Sequence, residues 1–232
     1  MSDVPADRPS PWDISKEEPG KWKQKRRLAD AMRRVIERLM PSDAPEDELR
    51  RAAEALERYA DNLKAHPRLR YSHGFAESAN AGDVGAFFDQ SPLIGLANPL
   101  APPIAIEKTG PRSATGTVTF GSAYEGPPGH VHGGFVAAAF DEVLGFVQSL
   151  SGRPGMTGTL TVRYRKPTPL HTELRFEAAY TGSERRKLFT EGRVFAGETL
   201  CAEAEGVFVS YGRERFEHLE ARRAEREAQR EG

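Results

Sequence analysis

The feature that most restricts the fold is the run Gly133-Gly-Phe-Val-Ala-Ala-Ala-Phe-Asp-Glu-Val-Leu-Gly-Phe-Val-Gln-Ser-Leu150. Its apolar residues go nearly all the way round a helix instead of forming one stripe, so the rest of the chain must enclose it. The flanking segments have the pattern to do so. Candidate strands are Ile104 to Lys108 and Thr115 to Phe120 before the helix, then Thr157 to Tyr164, Glu173 to Thr181, Lys187 to Ala196 and Thr199 to Tyr211 after it. Leu160, Val162 and Tyr164 alternate with Thr159, Thr161 and Arg163, and Leu174, Phe176 and Ala178 alternate with Glu173, Arg175 and Glu177. That is the pattern of antiparallel strands buried on one side. The last four strands follow one another closely, which predicts a meander with turns at Lys166 to Pro169, Thr181 to Glu184 and Ala196 to Glu198. The expected class is α+β, an antiparallel sheet wrapped around one long central helix.

The chain has 232 residues, which fits one core with appendages. Residues 1–20 carry five acids and four prolines with no apolar period and are read as a flexible arm. Residues 21–70 read as a helical hairpin: apolar positions recur at helical spacing from Trp22 to Leu39 and again from Leu49 to Leu63, with a break between Pro41 and Pro45. Asp43, Pro45 and Glu46 supply a start signal for the second helix. Residues 71–98 form a connecting segment, 99–211 the main domain, and 212–232 a tail in which Arg and Glu balance. The first helix holds eight basic residues against Asp30 and Glu37, but residues 1–70 sum to 16 basic and 14 acidic. A solvated face explains this better than a polyanion site. The whole-chain charge of −1 likewise gives no field to gather nucleic acid. The lone Cys201 excludes an intrachain disulfide and a cysteine-clustered metal site, and suits a reducing compartment. With no apolar run long enough for a membrane span and no recognisable signal peptide, a cytoplasmic protein is expected.

Two features carry chemistry. Asp141 and Glu142 stand about 100 degrees apart on the central helix, so at least one carboxyl must sit awkwardly against the core. Upstream, Gly126-Pro-Pro-Gly-His-Val-His-Gly-Gly134 leads a stiff turn into a helix that opens on glycines. Backbone N–H groups there face outward unobstructed, at the positive end of the helix dipole, and suit a developing oxyanion. His130 and His132 resemble half a metal site, but no acidic or cysteine partner lies at ligand spacing.

Gly126-Pro-Pro-Gly-x-Val-His-Gly-Gly134, Asp141 nine residues after His132, and Met156-Thr157 opening a strand that ends Tyr164-Arg-Lys-Pro-x-Pro-Leu170 together resemble the hot-dog-fold acyl-CoA thioesterases. The likeness is nearest to the thioesterase superfamily member 4 type and the phenylacetate-pathway group. It spans roughly Pro99 to Tyr211 and leaves out residues 1–70. The resemblance implies a hot-dog fold with a helical hairpin extension, and hydrolysis of an acyl-CoA thioester without metal or organic cofactor. It implies that the Gly133 N–H polarises the thioester carbonyl with His132 in support, that Asp141 is general base or nucleophile, and that Thr157 places the attacking water. Where the phenylacetate-pathway group has an amide side chain six residues before its His, this chain has Gly126.

Eight residues separate Gly133 from Asp141, about 12 Å along one helix, too far for both to act on one carbonyl carbon. A composite site is therefore expected, Gly133 of one subunit facing Asp141 of another. This agrees with the dimer of hot dogs, alone or paired into a dimer of dimers, that the resemblance implies. Gly134 is a further candidate beside the substrate, and Arg186, Lys187, Arg165 and Lys166, from what read as neighbouring turns, are candidates for the CoA phosphates. Phe135, Phe140 and Phe146 are candidates for an acyl pocket or simply core. Another reading of the fold is an acyl-CoA-binding regulator or scaffold with an inert hot-dog domain, in which the helical extension meets DNA or a protein.

Overall fold

The computed structural model describes residues 20–66, 89–153 and 155–210. The expected arm 1–20 and tail 212–232 lie outside the described residues, Gly20 apart, as does most of the connecting segment. Two helices come first, α1 (Gly20–Leu39) and α2 (Glu46–Lys64). The body follows: β1 (Ala105–Lys108), β2 (Ser113–Thr119), a 3-10 turn at Ser122–Tyr124, the central helix α3 (Gly133–Ser149), then β3 (Gly155–Tyr164), β4 (Glu173–Glu184), β5 (Lys187–Ala196) and β6 (Thr199–Ser210). All strand neighbours are antiparallel, in the order β1-β2-β4-β5-β6-β3. The sheet wraps α3 in the hot-dog arrangement.

The enclosure of α3 is a packing fact. Val136, Ala139, Phe140, Val143, Leu144, Phe146 and Val147 are all buried, against Leu174, Phe176, Leu188, Val194, Ala202 and Phe208 of the sheet. The Phe140 and Phe176 rings meet edge to face at 5.1 Å. The helix comes this close because the concave face carries glycine where its bulky side chains arrive. A Cβ at Gly116 would stand 2.9 Å from Val143 Cγ2, and one at Gly206 would stand 2.6 Å from Thr190 Oγ1 and 3.3 Å from Leu144 Cδ1.

Three expectations are corrected. The meander holds for β4, β5 and β6, but β3 does not join β4. It crosses to the far edge and pairs with β6. Alternation fixes which face of a strand is buried, not which strand lies beside it. The link from β3 to β4 is long and binds elsewhere: Thr168 O accepts Val131 N, Leu170 N donates to Gly129 O and His171 N donates to Phe120 O. This strap runs beside the loop that feeds α3. Second, the stretch Thr181 to Glu184 is strand, not turn. The register shifts between Tyr180 and Gly182, and the hairpin turns at Arg185 and Arg186, where Arg185 takes φ 53°. Third, the start signal marks the helix but not its cap: α2 begins at Glu46 as expected, and Asp43 does not cap it. Pro45 occupies that place with no side-chain cap, and Glu46, Asp47 and Glu48 load the first turn with negative charge, which the helix dipole favours.

The extension is held by polar clamps. Arg26 Nε donates to both oxygens of the buried Asp89 at 2.9 and 2.8 Å, Arg33 Nη1 donates to Asn98 O at 2.9 Å, and Glu37 Oε1 accepts Ser122 N and Oγ at 3.0 Å each. The basic face of α1 is thus partly a docking face, so a fully solvated reading is too simple. By contrast α2 buries none of its residues, and Leu49, Leu56, Tyr59 and Leu63 stay exposed.

The glycine contacts give a prediction. Replacing Gly206 by Ala forces a methyl onto Thr190 and Phe208 and should destabilise the fold by about 1–3 kcal/mol, measured by urea unfolding with an unchanged m-value.

Candidate active site

The loop before α3 closes tightly on itself. Gly126 N donates to His130 O at 2.9 Å and His132 N to Tyr124 O at 2.8 Å. A Cβ at Gly126 would lie 2.7 Å from His132 Cα. No side chain fits there, which accounts for glycine where an amide side chain was the family expectation. His130 Nδ1 lies 2.8 Å from Pro128 O and the residue bridges to Pro169, so it serves the turn.

His132 is the N-cap of α3, and its Nδ1 accepts Gly134 N at 3.1 Å. Tyr164, at the end of β3, donates its hydroxyl to Gly133 O at 2.7 Å. The peptide joining Gly133 to Gly134 is therefore held at both ends, its carbonyl by Tyr164 and its N–H by His132. Phe135 N donates to His132 O at 2.9 Å. Among the described residues this leaves the Gly133 N–H as the donor of the first turn with no acceptor. It is aimed by its neighbours and open to a ligand. Gly134, also expected beside the substrate, spends its N–H on His132. Sequence reasoning missed Tyr164. The signals were its inward parity with Leu160 and Val162 and its place at the head of the motif that runs to Leu170.

Two turns along, Asp141 Oδ1 accepts the Thr157 hydroxyl at 2.7 Å. Strict alternation would place Thr157 with Thr159, Thr161 and Arg163 on the outer face of β3. The strand register shifts between Thr157 and Thr159, with Gly158 as the extra residue. That bulge turns Thr157 back towards α3. One Asp141 oxygen is thereby fixed and the carboxylate held in one rotamer. A cavity of about 370 Å³ opens here, lined by Asp141, Thr157, Glu142, Met156, Phe146 and Gln148 among others. Glu142 is the awkward carboxyl: burial pushes it up to about 7, and the charge of Asp141 adds to the rise.

The cations do not form one cluster within the chain. Arg186, which ends the turn, and Lys187, which begins β5, lie beside Ser210, at the end of the sheet where β3 starts. Arg165 and Lys166 follow Tyr164, at the opposite end of that strand. Arg165 pairs with Glu203 at 2.7 Å, and Arg186 Nε donates to Ser210 O at 3.1 Å. Of the three phenylalanines, Phe140 and Phe146 are buried, whereas Phe135 is only half-buried.

Glu142 makes a stability prediction. Its carboxyl holds a proton more tightly folded than unfolded. The contribution is full below pH 4.5 and is lost as pH rises through about 7. The loss is on the order of 3 kcal/mol. Glu142→Gln should flatten that part of the profile, as read by denaturant unfolding at pH 5 and pH 8.

Comparison with known proteins shows the family. Residues 128–203 match the family model for the Thioesterase superfamily. Over 91 residues the chain is 34% identical to acyl-coenzyme A thioesterase THEM4 of Bos taurus and 31% identical to acyl-coenzyme A thioesterase THEM5 of Homo sapiens. Each match covers 38% of this chain and 37% of the relative, so the matched stretch spans little more than a third of those proteins. The crystal structure of a thioesterase superfamily protein superposes with a TM-score of 0.71 at 35% identity, covering 80% of this chain and 94% of that one. With nearly the whole of that protein matched in both sequence and fold, the chain belongs to the thioesterase superfamily.

Proposed function

We propose that the protein hydrolyses acyl-CoA thioesters to a free carboxylic acid and coenzyme A, at a site made by two copies of the chain. The observation that carries this is the pair of half-sites on one helix: an unsatisfied, aimed N–H at Gly133, and a carboxylate fixed by Thr157 at Asp141. The thioester carbonyl oxygen takes the Gly133 N–H, which stabilises the tetrahedral oxyanion as it forms. The free oxygen of Asp141 takes a proton from a water whose oxygen adds to the carbonyl carbon, or it attacks that carbon itself and gives a mixed anhydride that water then hydrolyses; in both cases the C–S bond breaks and CoA leaves as the thiolate. The chemistry calls on no metal or organic cofactor.

The arrangement of β3 supports a second copy. Tyr164 and Gly133 meet at one end of that strand, Thr157 and Asp141 at the other. Strand β3 is a sheet edge, with Met156, Thr157, Thr159, Thr161, Arg163 and Tyr164 exposed. Antiparallel pairing of two such edges about a twofold axis sets the Thr157 end of one copy against the Tyr164 end of the other. The same operation brings Arg186 and Lys187 of one copy towards Arg165 and Lys166 of the other, where together they can hold the CoA phosphates. Pairing of such dimers gives a dimer of dimers. A reducing, cytoplasmic setting suits the buried, unpaired Cys201, and among the described residues no helix is long and apolar enough to cross a membrane.

Two outcomes are expected. Asp141→Asn should lower CoA release from an acyl-CoA panel by at least about 100-fold while the fold and oligomeric state stay as in wild type. Gly133→Pro removes the N–H in question at a helix position that tolerates proline; its Cβ would stand 3.2 Å from the Tyr164 hydroxyl, so it disables this half-site as a whole while Asp141 of the same chain stays intact. Each variant alone should be inactive. Unfolded and refolded together in equal amounts, they should recover about a quarter of wild-type activity, since half the dimers are mixed and each has one intact site. No recovery from a mixture shown to contain mixed dimers would overturn the composite site.

A further inference from the structure

The three clamps that seat α1 leave a space behind them. Glu37 lies so close over Gly121 that a Cβ there would stand 2.0 Å from its carboxylate, so the seat is shaped for this helix. Between α1 and the hot-dog body runs a cavity of about 500 Å³, lined by Ile36, Met40, Leu100, Pro102, Tyr124 and Phe135 among others. That volume is within the usual range of small-molecule pockets, about 300–1,000 Å³. Its walls are mostly apolar, and Ile36, Met40 and Leu100 are 37%, 61% and 62% exposed, so an apolar occupant would remove hydrocarbon from water. The charged residues that border it already have protein partners. Arg33 bonds Asn98 O, Glu37 bonds Ser122, Arg34 pairs with Asp30 at 3.3 Å, and His171 lies 3.3 Å from Ser122 Oγ. A polar ligand would have to break these bonds, whereas an alkyl chain would not.

The cavity shares two wall residues, Tyr124 and Phe135, with the surroundings of the loop and first turn that carry the Gly133 donor. Phe135 on its wall is two residues from Gly133, and Tyr124, whose ring meets Phe135 edge to face at 4.9 Å, accepts His132 N. We infer that the cavity under α1 is the acyl chamber, taking the unbranched alkyl chain of a thioester whose carbonyl sits on the Gly133 N–H. The helical extension is then one wall of the substrate site. This rests on the thioesterase reading and adds the substrate class and the part of the chain that selects it.

The test uses the full chain and two thioether analogues that cannot be hydrolysed, S-ethyl-CoA and S-decyl-CoA, titrated by calorimetry. Wild type should bind S-decyl-CoA at least about tenfold more tightly than S-ethyl-CoA. Ile36→Trp, which fills the cavity from α1, and Ala123→Leu, which fills it from the opposite wall, should bring that ratio to within about threefold. A wild type with no chain preference, or a ratio unchanged in either variant that folds, overturns the chamber. CoA release from decanoyl-CoA is followed separately in wild type. Tight, cavity-dependent binding without any release would overturn hydrolysis and leave the chamber standing.

Discussion

Everything else in the structure follows from burying α3 on nearly all sides. A helix with Phe140, Val143, Leu144 and Val147 fully enclosed needs a sheet that curls round it and has room at the contacts, hence glycine at Gly116 and Gly206. Such a helix has few places for polar groups. They gather at its first turn, where backbone donors outrun acceptors, and at the rim facing the start of β3. The candidate site lies where the enclosure is incomplete, which is where a buried helix can meet a ligand.

Much of this was legible in the sequence because it depends on local pattern. The all-round apolar run gave the central helix, alternation gave the strands to within a few residues, and Ala196-Gly-Glu198 gave a hairpin whose Gly197 takes φ 56°. What escaped depends on long-range pairing. Nothing in Thr157 to Tyr164 says that its partner is β6 and not β4, because both candidates present an apolar face of the same period. The turn chemistry misled at Thr181-Gly182-Ser183 because glycine marks bulges as well as turns. The actual turn uses Arg185 in a left-handed conformation that few side chains adopt.

The site divides along the same line. The helix start at Gly133 with His132 before it was marked by local pattern, whereas the choice of Asp141 over Glu142 came from the family likeness. Thr157 was named from a family likeness, while its own alternation argued for the wrong face. Only the bulge at Gly158 reconciles the two. Tyr164 carried no chemical signal, since its contact with Gly133 depends on where the far end of β3 comes to rest. The four cations seemed to share a neighbourhood because both pairs flank strand ends, but they flank opposite ends of β3.

The separation of Gly133 from Asp141 has its own physical logic. A carboxylate within reach of a free N–H at a helix start does not leave it free; it caps it, as Asp does at helix N-termini generally. An acid placed on the first turn would occupy the very donor that a carbonyl oxygen must use. Here the cap is His132, which spends its ring nitrogen on Gly134 and spares Gly133, and the carboxylate stands two turns away with Thr157 on one oxygen. On the composite reading the acid returns to the donor only from a second copy, across a gap wide enough for a thioester. The donor and the base are then both preserved, each held by its own partner in its own chain, and neither is quenched by the other before substrate arrives.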